Sequence, residues 1–356
     1  MGLLSDIPVS RGVLNSAIAI LQGDMLTLHR DAMKLWYASV NYGLEVFASK
    51  ILKKHGAKNI KTLDSALTFF CPHEINVKCI NNLFVVLSSY SSRNILDAAQ
   101  RIPGKQFLFP QLKGKTFRII IMDCGKLRPI PYNTMNDMEK SVSRQTRLSV
   151  NRVNPDVEIW LNRRNDSSIY FMLRVKKHRS FDKTLKKGEL RPDVVEVMIH
   201  EAKISKDSIV VDLFGGWGAI AAAVVESGRY KKVYTGDIND ECVKHQKKRL
   251  HDKRNCLVQK WDARKLSLED KSVDAIVTDP PWGEYEAIDP PQFYNEFIAE
   301  AARILRPSGS FVFLTSSQNE ACQSLTRHGF SYSHVPLKIG GKNTFLFCAK
   351  HAKQKS

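Results

Sequence analysis

The stretch Ile209-Val210-Val211-Asp212-Leu213-Phe214-Gly215-Gly216-Trp217-Gly218 decides the fold of the C-terminal half. Its apolar residues predict a buried strand, and its glycines allow a tight turn and close approach to a ligand where a Cβ would not fit. The spacing Gly216-x-Gly218-x-x-Ala221 also fits the dinucleotide fingerprint, which alone is a weak match. The stretch therefore predicts the first strand of a parallel sheet, the ligand-binding loop after it and the start of the helix that follows.

Strands and helices alternate along the chain from Leu190 onward, starting with a helix at Pro192. Strands are predicted at residues 208–213, 232–237, 256–258, 274–278 and 309–315, and the clearest helix at 293–305. Two further strands, near 331–335 and 344–349, are joined by Gly340-Gly341, which is typical of an antiparallel hairpin. The pattern predicts an α/β fold of Rossmann-like, doubly wound type, with a seven-stranded sheet closed by that hairpin.

The residues before Leu190 show a different order of elements. Strands are predicted at 36–40, 82–87, 116–122, 157–161 and 169–175, and helical stretches at 43–54 and 137–148. The first half is therefore expected to be α+β, in one or two small units.

Charge is distributed unevenly along the 356 residues, whose formal net charge is +18. Residues 1–180 carry 27 basic and 13 acidic side chains, and residues 181–356 carry 27 and 23. The excess in the first half predicts contact with a polyanion, although a solvated basic surface is the alternative. With 43% hydrophobic and 25% charged residues, disorder of the whole chain is excluded.

The seven cysteines are odd in number and scattered, which argues against a disulfide framework and favours a reducing compartment. Cys71, His73 and Cys79 lie close together, but no CxxC pair accompanies them, so no metal site is predicted. The apolar stretch Val13–Leu21 is too short to cross a membrane. These features predict a soluble, cytoplasmic protein with no membrane partner.

Three carboxylates follow three successive predicted strands. Asp212 precedes the glycine loop, Asp237 ends the second strand, and Asp262 follows the third. Each alone would be read as a loop residue or helix cap, but the carboxyl ends of parallel strands share one ligand-binding edge. Asp237 could accept hydrogen bonds from two ribose hydroxyls and Asp262 could meet an adenine amino group. Because Asp212 offers an anion to an ammonium group, the pattern favours S-adenosylmethionine (SAM) over a nicotinamide cofactor. The predicted cofactor-binding residues are Asp212, Phe214, Gly216, Gly218, Asp237, Ile238, Asp262 and Ala263.

The fourth strand of this half ends in Asp279-Pro280-Pro281-Trp282, the predicted catalytic residues. The prolines fix φ and remove two N–H donors, so that local carbonyls act as acceptors. The Asp279 carboxylate and the Pro280 carbonyl could hold both hydrogens of an exocyclic NH₂, and Trp282 could stack on the base. Alone, Asp-Pro-Pro is an ordinary turn; after a matching cofactor loop it predicts methyl transfer to an amine.

These motifs resemble the class I SAM-dependent methyltransferases that methylate exocyclic amines through [DN]PP[YFW]. The stretches Asn154–Ile159, Phe171–Arg174 and Lys177–Ser180 resemble the end of a THUMP domain, and 36–56 resembles the ferredoxin-like domain that precedes it. The resemblance covers about residues 35–350 and points to the THUMP-containing tRNA guanine-N2 methyltransferases. It implies an N-terminal extension (1–34), a ferredoxin-like domain (35–80), a THUMP RNA-binding domain (81–180) and a methyltransferase domain (181–352). The implied partner is tRNA, with Arg174, Lys176, Lys177 and Arg179 expected among the contacts; whether a small activating protein subunit is required stays open.

The base and the activity itself have alternatives. Trp282 is also familiar from adenine-N6 enzymes, so methylation of adenine in RNA or DNA is the second interpretation. A non-catalytic RNA-binding protein would have no physical need for Asp212, Asp237, Asp262 and Asp279 together. Methylation of a protein glutamine amide would leave the basic first half unexplained.

Overall fold

The computed structural model describes residues 33–110, 112, 114–176, 185–282 and 289–352. In this part of the chain the strands form one nine-stranded and one seven-stranded sheet, corresponding to the two halves expected from the sequence. No helix among the described residues is long and apolar enough to cross a membrane.

The first half is built on the nine-stranded sheet, in the order β2-β3-β1-β4-β9-β8-β5-β6, with β7 paired to β5. Its elements are β1 (Lys34–Ser39), α1 (Glu45–Lys54), β2 (Lys58–Leu63), β3 (Ala66–Cys71), β4 (Asn82–Ser91), α2 (Ile95–Arg101), β5 (Thr116–Asp123), β6 (Lys126–Leu127), α3 (Tyr132–Thr146), β7 (Ser149–Val150), β8 (Val157–Arg163) and β9 (Ser168–Lys176). The α+β prediction is confirmed, and the β2–β3 hairpin and α2 are additions to it.

The strands on the two sides of the expected boundary between residues 80 and 81 belong to one sheet, and the division into domains stays a prediction. Strand β4 pairs antiparallel with β1, where Trp36 faces Val85, and antiparallel with β9 on its other side. The physical reason lies in β4 itself, because its run Leu83–Val85 is buried and a strand of that kind needs neighbours on both edges. The four strands β4-β1-β3-β2 therefore continue directly into the rest of the first half.

The second half is the predicted doubly wound domain. Its elements are α4 (Pro192–Glu201), β10 (Ile209–Asp212), α5 (Ala219–Ser227), β11 (Lys232–Asp237), α6 (Asp240–Arg249), β12 (Cys256–Lys260), β13 (Val273–Thr278), α7 (Pro290–Ile304), β14 (Leu305–Thr315), α8 (Gln318–Arg327), β15 (Phe330–Ile339) and β16 (Lys342–His351). The sheet order is β12-β11-β10-β13-β14-β16-β15, parallel up to β14. Strands β15 and β16 form the closing antiparallel hairpin. Gly340 and Gly341 both have positive φ, as a two-residue turn of type I′ requires.

The two halves share an apolar core. Leu44 directly precedes α1 and Leu52 lies in it. Both belong to the same buried cluster as Val194 and Met198 of α4. Polar contacts supplement it: the Cys79 amide donates to Glu196 Oε2 at 2.6 Å, and Lys50 pairs with Glu201 at 3.0 Å. A Cβ on Gly43 would stand 2.4 Å from the carbonyl oxygen of Pro336, which shows how closely the halves approach.

Candidate active site

The glycine loop follows β10 and leads into α5. Gly216 and Gly218 have φ values of +46° and +82°, which non-glycine residues rarely adopt. The amide of Gly216 donates to Asp237 Oδ2 at 2.8 Å, and the amide of Asn239 donates to Oδ1 of the same carboxylate at 2.9 Å. These bonds fix Asp237 at the end of β11 beside the loop.

Asp212 is a buried carboxylate with one oxygen unsatisfied. Its Oδ1 accepts a hydrogen bond from the Thr278 hydroxyl at 2.9 Å, whereas Oδ2 is buried with no hydrogen-bond partner among the described residues. Burial raises the pKa of Asp212 to about 8, and the charges of Asp237 and Asp279 act in the same direction. An oxygen left in this condition is costly unless a cation or donor approaches it. The ammonium group of a SAM molecule would satisfy it, so the residues present fit that cofactor.

A cavity of about 520 Å³ opens at the carboxyl edge of the sheet. Of the predicted cofactor-binding residues, those in its lining are Phe214, Gly216, Asp237, Ile238, Asp262 and Ala263. The catalytic candidates in the same lining are Asp279, Pro281 and Trp282, whereas Asp212, Gly218 and Pro280 are buried and are not part of the lining. The structure thus brings nine of the twelve candidates to one cavity, and their roles in binding and catalysis stay predictions.

Asp262 is held by a residue that sequence analysis missed. Arg264 donates to both carboxylate oxygens, with Nε–Oδ1 at 2.9 Å and Nη2–Oδ2 at 2.7 Å. These bonds lower the pKa of Asp262 and keep it ionised. Arg264 also reaches Glu296 at 3.2 Å, and both residues line the cavity. The carboxylate of Asp262 is therefore fixed in place, and its contact with adenine stays a prediction.

Asp279 and Trp282 are directly connected. The indole Nε1 of Trp282 donates to Asp279 Oδ1 at 3.0 Å, a contact that the sequence did not suggest. Burial raises the pKa of Asp279 to about 7, although the bond from Trp282 opposes the shift. Among the described residues no hydrogen bond reaches the second carboxylate oxygen, which could accept from a ligand in the cavity. Trp282 therefore orients the carboxylate, and its stacking on a base stays a prediction.

The comparisons with known proteins agree with this geometry. Residues 194–340 match the family model described as methyltransferase small domain. No curated protein sequence matches the chain. Among solved structures, TrmN from Thermus thermophilus is similar at a TM-score of 0.73 and 19% identity, covering 90% of this chain and 100% of that one.

The C-terminal half has the fold of these solved methyltransferases and contains the segment that matches the methyltransferase small domain model. SMU.472, a putative methyltransferase solved in complex with S-adenosylhomocysteine (SAH), is similar at a TM-score of 0.67 and 12% identity, covering 91% of this chain and 99% of that one. A predicted N6-adenine-specific DNA methylase from Listeria monocytogenes is similar at a TM-score of 0.65 and 12% identity, covering 90% of this chain and 97% of that one.

A SAM molecule in this cavity would be held by the carboxylates already described. When bound, SAM supplies an electrophilic methyl group on a sulfonium. Asp212 would receive the ammonium group, and Asp237, fixed by two backbone amides, would receive the ribose hydroxyls. Ile238 is 55% exposed within the cavity lining, which leaves an apolar surface for the adenine ring.

Two of the four expected RNA-contact residues lie in the described part of the chain. Arg174 is only 12% exposed and pairs with Glu158 at 2.5 Å, with its guanidinium over the ring of Trp160. The Glu158 carboxylate on neighbouring β8 compensates the charge of Arg174 inside the fold. The structure therefore does not present Arg174 to a polyanion. The Lys176 ammonium donates to Asn76 Oδ1 at 2.8 Å and to the Val77 carbonyl at 3.0 Å, both neutral partners, and pairs with no carboxylate of the described residues. Lys177 and Arg179 lie outside the described residues.

Several residues that shape the site gave no clear signal in the sequence. Thr278 links Asp212 to the loop, because its hydroxyl donates to Asp212 and accepts from the Phe214 amide at 3.0 Å. Gln246 is fully buried on α6 and donates to the Gly216 carbonyl at 3.0 Å. A buried glutamine in a lysine-rich helix is visible only once the helix is placed. Among the described residues, no cluster of side chains could hold a metal ion.

Proposed function

We propose that the protein transfers a methyl group from SAM to the exocyclic N2 amine of a guanosine in tRNA. The observation that carries the proposal is the placement of Asp279 in the wall of the SAM cavity, with one oxygen fixed by Trp282. An exocyclic amine can donate to the other oxygen, which aims the nitrogen lone pair at the methyl group. Orientation of this kind supplies much of the acceleration in a displacement reaction.

The proposed RNA substrate rests on the charge of the first half. The basic excess lies in residues 1–180, and exposed lysines and arginines cluster on and around α3 and β6. They are Lys126, Arg128, Lys140, Arg144 and Arg147. Such a surface attracts phosphates without reading sequence, which suits a domain that docks a folded RNA. The resemblance of this half to ferredoxin-like and THUMP domains supports tRNA, and cytoplasmic tRNA is the expected pool.

The proposed mechanism needs no strong base. The amine proton becomes acidic only as the N–CH₃ bond forms, and Asp279 can accept it at that stage because its pKa lies near 7. Methylation of adenine N6 is the second candidate, since Trp282 follows Asp-Pro-Pro and Asp279 would hold that amine in the same way.

The test is single-turnover transfer of labelled methyl from SAM to unmodified tRNA by the full chain, followed by digestion to nucleosides. The expected product is N2-methylguanosine. We expect Asp279→Ala to lose at least about a hundredfold in rate, which corresponds to about 2.7 kcal/mol, while SAH affinity is nearly unchanged. Asp240→Ala removes an exposed carboxylate of the same domain and is the control. N6-methyladenosine would move the assignment to the second candidate, and an unaffected Asp279→Ala variant would refute the mechanism.

A further inference from the structure

Trp217 lies in the glycine loop but outside the lining of the SAM cavity. Its indole Nε1 donates to the carbonyl of Lys187 at 2.9 Å. The ammonium group of Lys186 lies 4.1 Å from the centroid of the indole ring, and the ring of His245 meets it edge-on at 5.3 Å. The side chain thus joins the loop to a segment almost thirty residues earlier in the chain.

Side chains of helix α6 donate hydrogen bonds to main-chain carbonyls of the same loop. Gln246 donates to the carbonyl of Gly216, and Arg249 Nη1 donates to the carbonyl of Trp217 at 3.0 Å. Arg249 Nη1 also pairs with Glu189 Oε1 at 2.6 Å. The loop, the helix and the segment of residues 185–190 are therefore joined by one set of hydrogen bonds.

The segment of residues 185–190 contributes directly to the cofactor cavity. Gly188, with a φ of +79°, lines the cavity together with Gly216 and Asp237. The turn around it is closed by two bonds between Lys186 and Glu189: the Glu189 amide to the Lys186 carbonyl at 2.9 Å, and the Lys186 amide to Glu189 Oε2 at 3.1 Å. Through Gly188, a segment that precedes the seven-stranded sheet forms part of the cavity wall.

The same segment is anchored to the first half at its far end. Leu190 is buried in the core that both halves share. Directly after it, Asp193 on α4 accepts a hydrogen bond from Asn41, and the Glu196 carboxylate accepts from the Cys79 amide. A displacement of this segment would therefore alter contacts with the basic first half and the lining of the cofactor cavity.

We propose that Trp217 is a positioning residue for the cofactor, which holds residues 185–190 in place as a wall of the SAM cavity. Cofactor binding and docking of the segment are then coupled, because SAM binds the cavity only with this wall in position. Coupling of this kind is reciprocal, so bound cofactor must hold the segment against the loop by the same factor. The proposal concerns the cofactor and is independent of which base accepts the methyl group.

The first measurement is the affinity of the full chain for SAH by calorimetry. Trp217→Phe keeps a ring but removes the donor to the Lys187 carbonyl, and we expect SAH to bind about threefold to tenfold more weakly. Trp217→Ala also removes the ring, and its loss is expected to be larger. Tyr230→Phe is the matched control, since it too deletes an aromatic donor to a backbone carbonyl, that of Arg254, but outside the cavity lining.

The second measurement separates positioning from a general loss of stability. In the parent chain, saturating SAH should slow tryptic cleavage after Lys186 and Lys187, as followed by mass spectrometry. Trp217→Phe should lose most of that protection at an unchanged melting temperature. Parent-like SAH affinity in Trp217→Phe, or SAH protection equal to that of the parent, would overturn the proposal. So would a weakened affinity that Tyr230→Phe reproduces, or a lowered melting temperature that accounts for the whole effect.

Discussion

Replacing Asp212 by asparagine should weaken cofactor binding while relieving a strain in the free protein. The pKa of this buried carboxyl is about 8 instead of 3.8. Each pKa unit corresponds to about 1.4 kcal/mol, so keeping the carboxylate ionised without a bound cation costs the fold roughly 6 kcal/mol at most. Asparagine has the same shape and can still accept from Thr278, but it carries no charge.

The sign of the pH dependence follows from the raised pKa. Between about pH 4 and 8 the folded protein keeps a proton on Asp212 that the unfolded chain has lost. The free energy of unfolding of the parent should therefore fall as pH rises through this window. Asp212→Asn should flatten that slope and be the more stable protein at pH 8. A bound ammonium group reverses the preference, so SAH binding near neutral pH should release protons from the parent and fewer from the variant.

Calorimetry and denaturant unfolding measure both effects. At pH 7 we expect Asp212→Asn to bind SAH about tenfold to a hundredfold more weakly, the range for losing one hydrogen bond to a charged group. Asp207→Asn, an exposed change just before β10, removes the same formal charge and is the control. If Asp212→Asn bound SAH like the parent, or retained the parent's pH slope of stability, the role assigned to the buried carboxylate would be wrong.

Three further predictions concern catalysis, packing and RNA binding. Because the pKa of Asp279 is about 7 and its ionised form accepts from the amine, the single-turnover rate should rise about tenfold from pH 6 to pH 8, and a flat profile would contradict this role. Gly43→Ala should lower the free energy of unfolding by about 1–3 kcal/mol more than Gly56→Ala. Both glycines have φ near +90°, but only at Gly43 would the added Cβ lie 2.4 Å from a backbone oxygen, so equal losses in denaturant titrations would contradict this contact. Replacing Lys140 and Arg144 by Glu should weaken tRNA binding by the full chain and reduce the slope of log K against log salt concentration by about one to two. Lys231→Glu on the other half should change neither, and equal effects of the two changes in filter binding at several salt concentrations would contradict the prediction.

The sequence allowed the second half to be predicted closely because its signals are local. Strand β10 ends in Asp212 and β13 ends directly before Asp279, and parallel strands bring their carboxyl ends to one edge whatever the loops do. That rule alone placed Asp237 and Asp279 in the lining of one cavity.

The remaining features depend on pairing between distant residues. Strand β2 is a largely polar edge strand, so neither alternation nor an apolar run marked it in the sequence. The continuity of the first sheet depends on β4 meeting β9 about eighty residues later. In the site, Gln246 and Trp217 act through backbone carbonyls, which any residue possesses, so no motif could reveal their partners.

The most direct test of the central claim is nucleoside mass spectrometry of total tRNA from cells that lack this protein, with restoration by the parent chain and by Asp279→Ala. We expect one N2-methylated guanosine to disappear, to return with the parent chain and to stay absent with Asp279→Ala. A complete set of N2-methylated guanosines in the deficient cells, or restoration by Asp279→Ala, would contradict it.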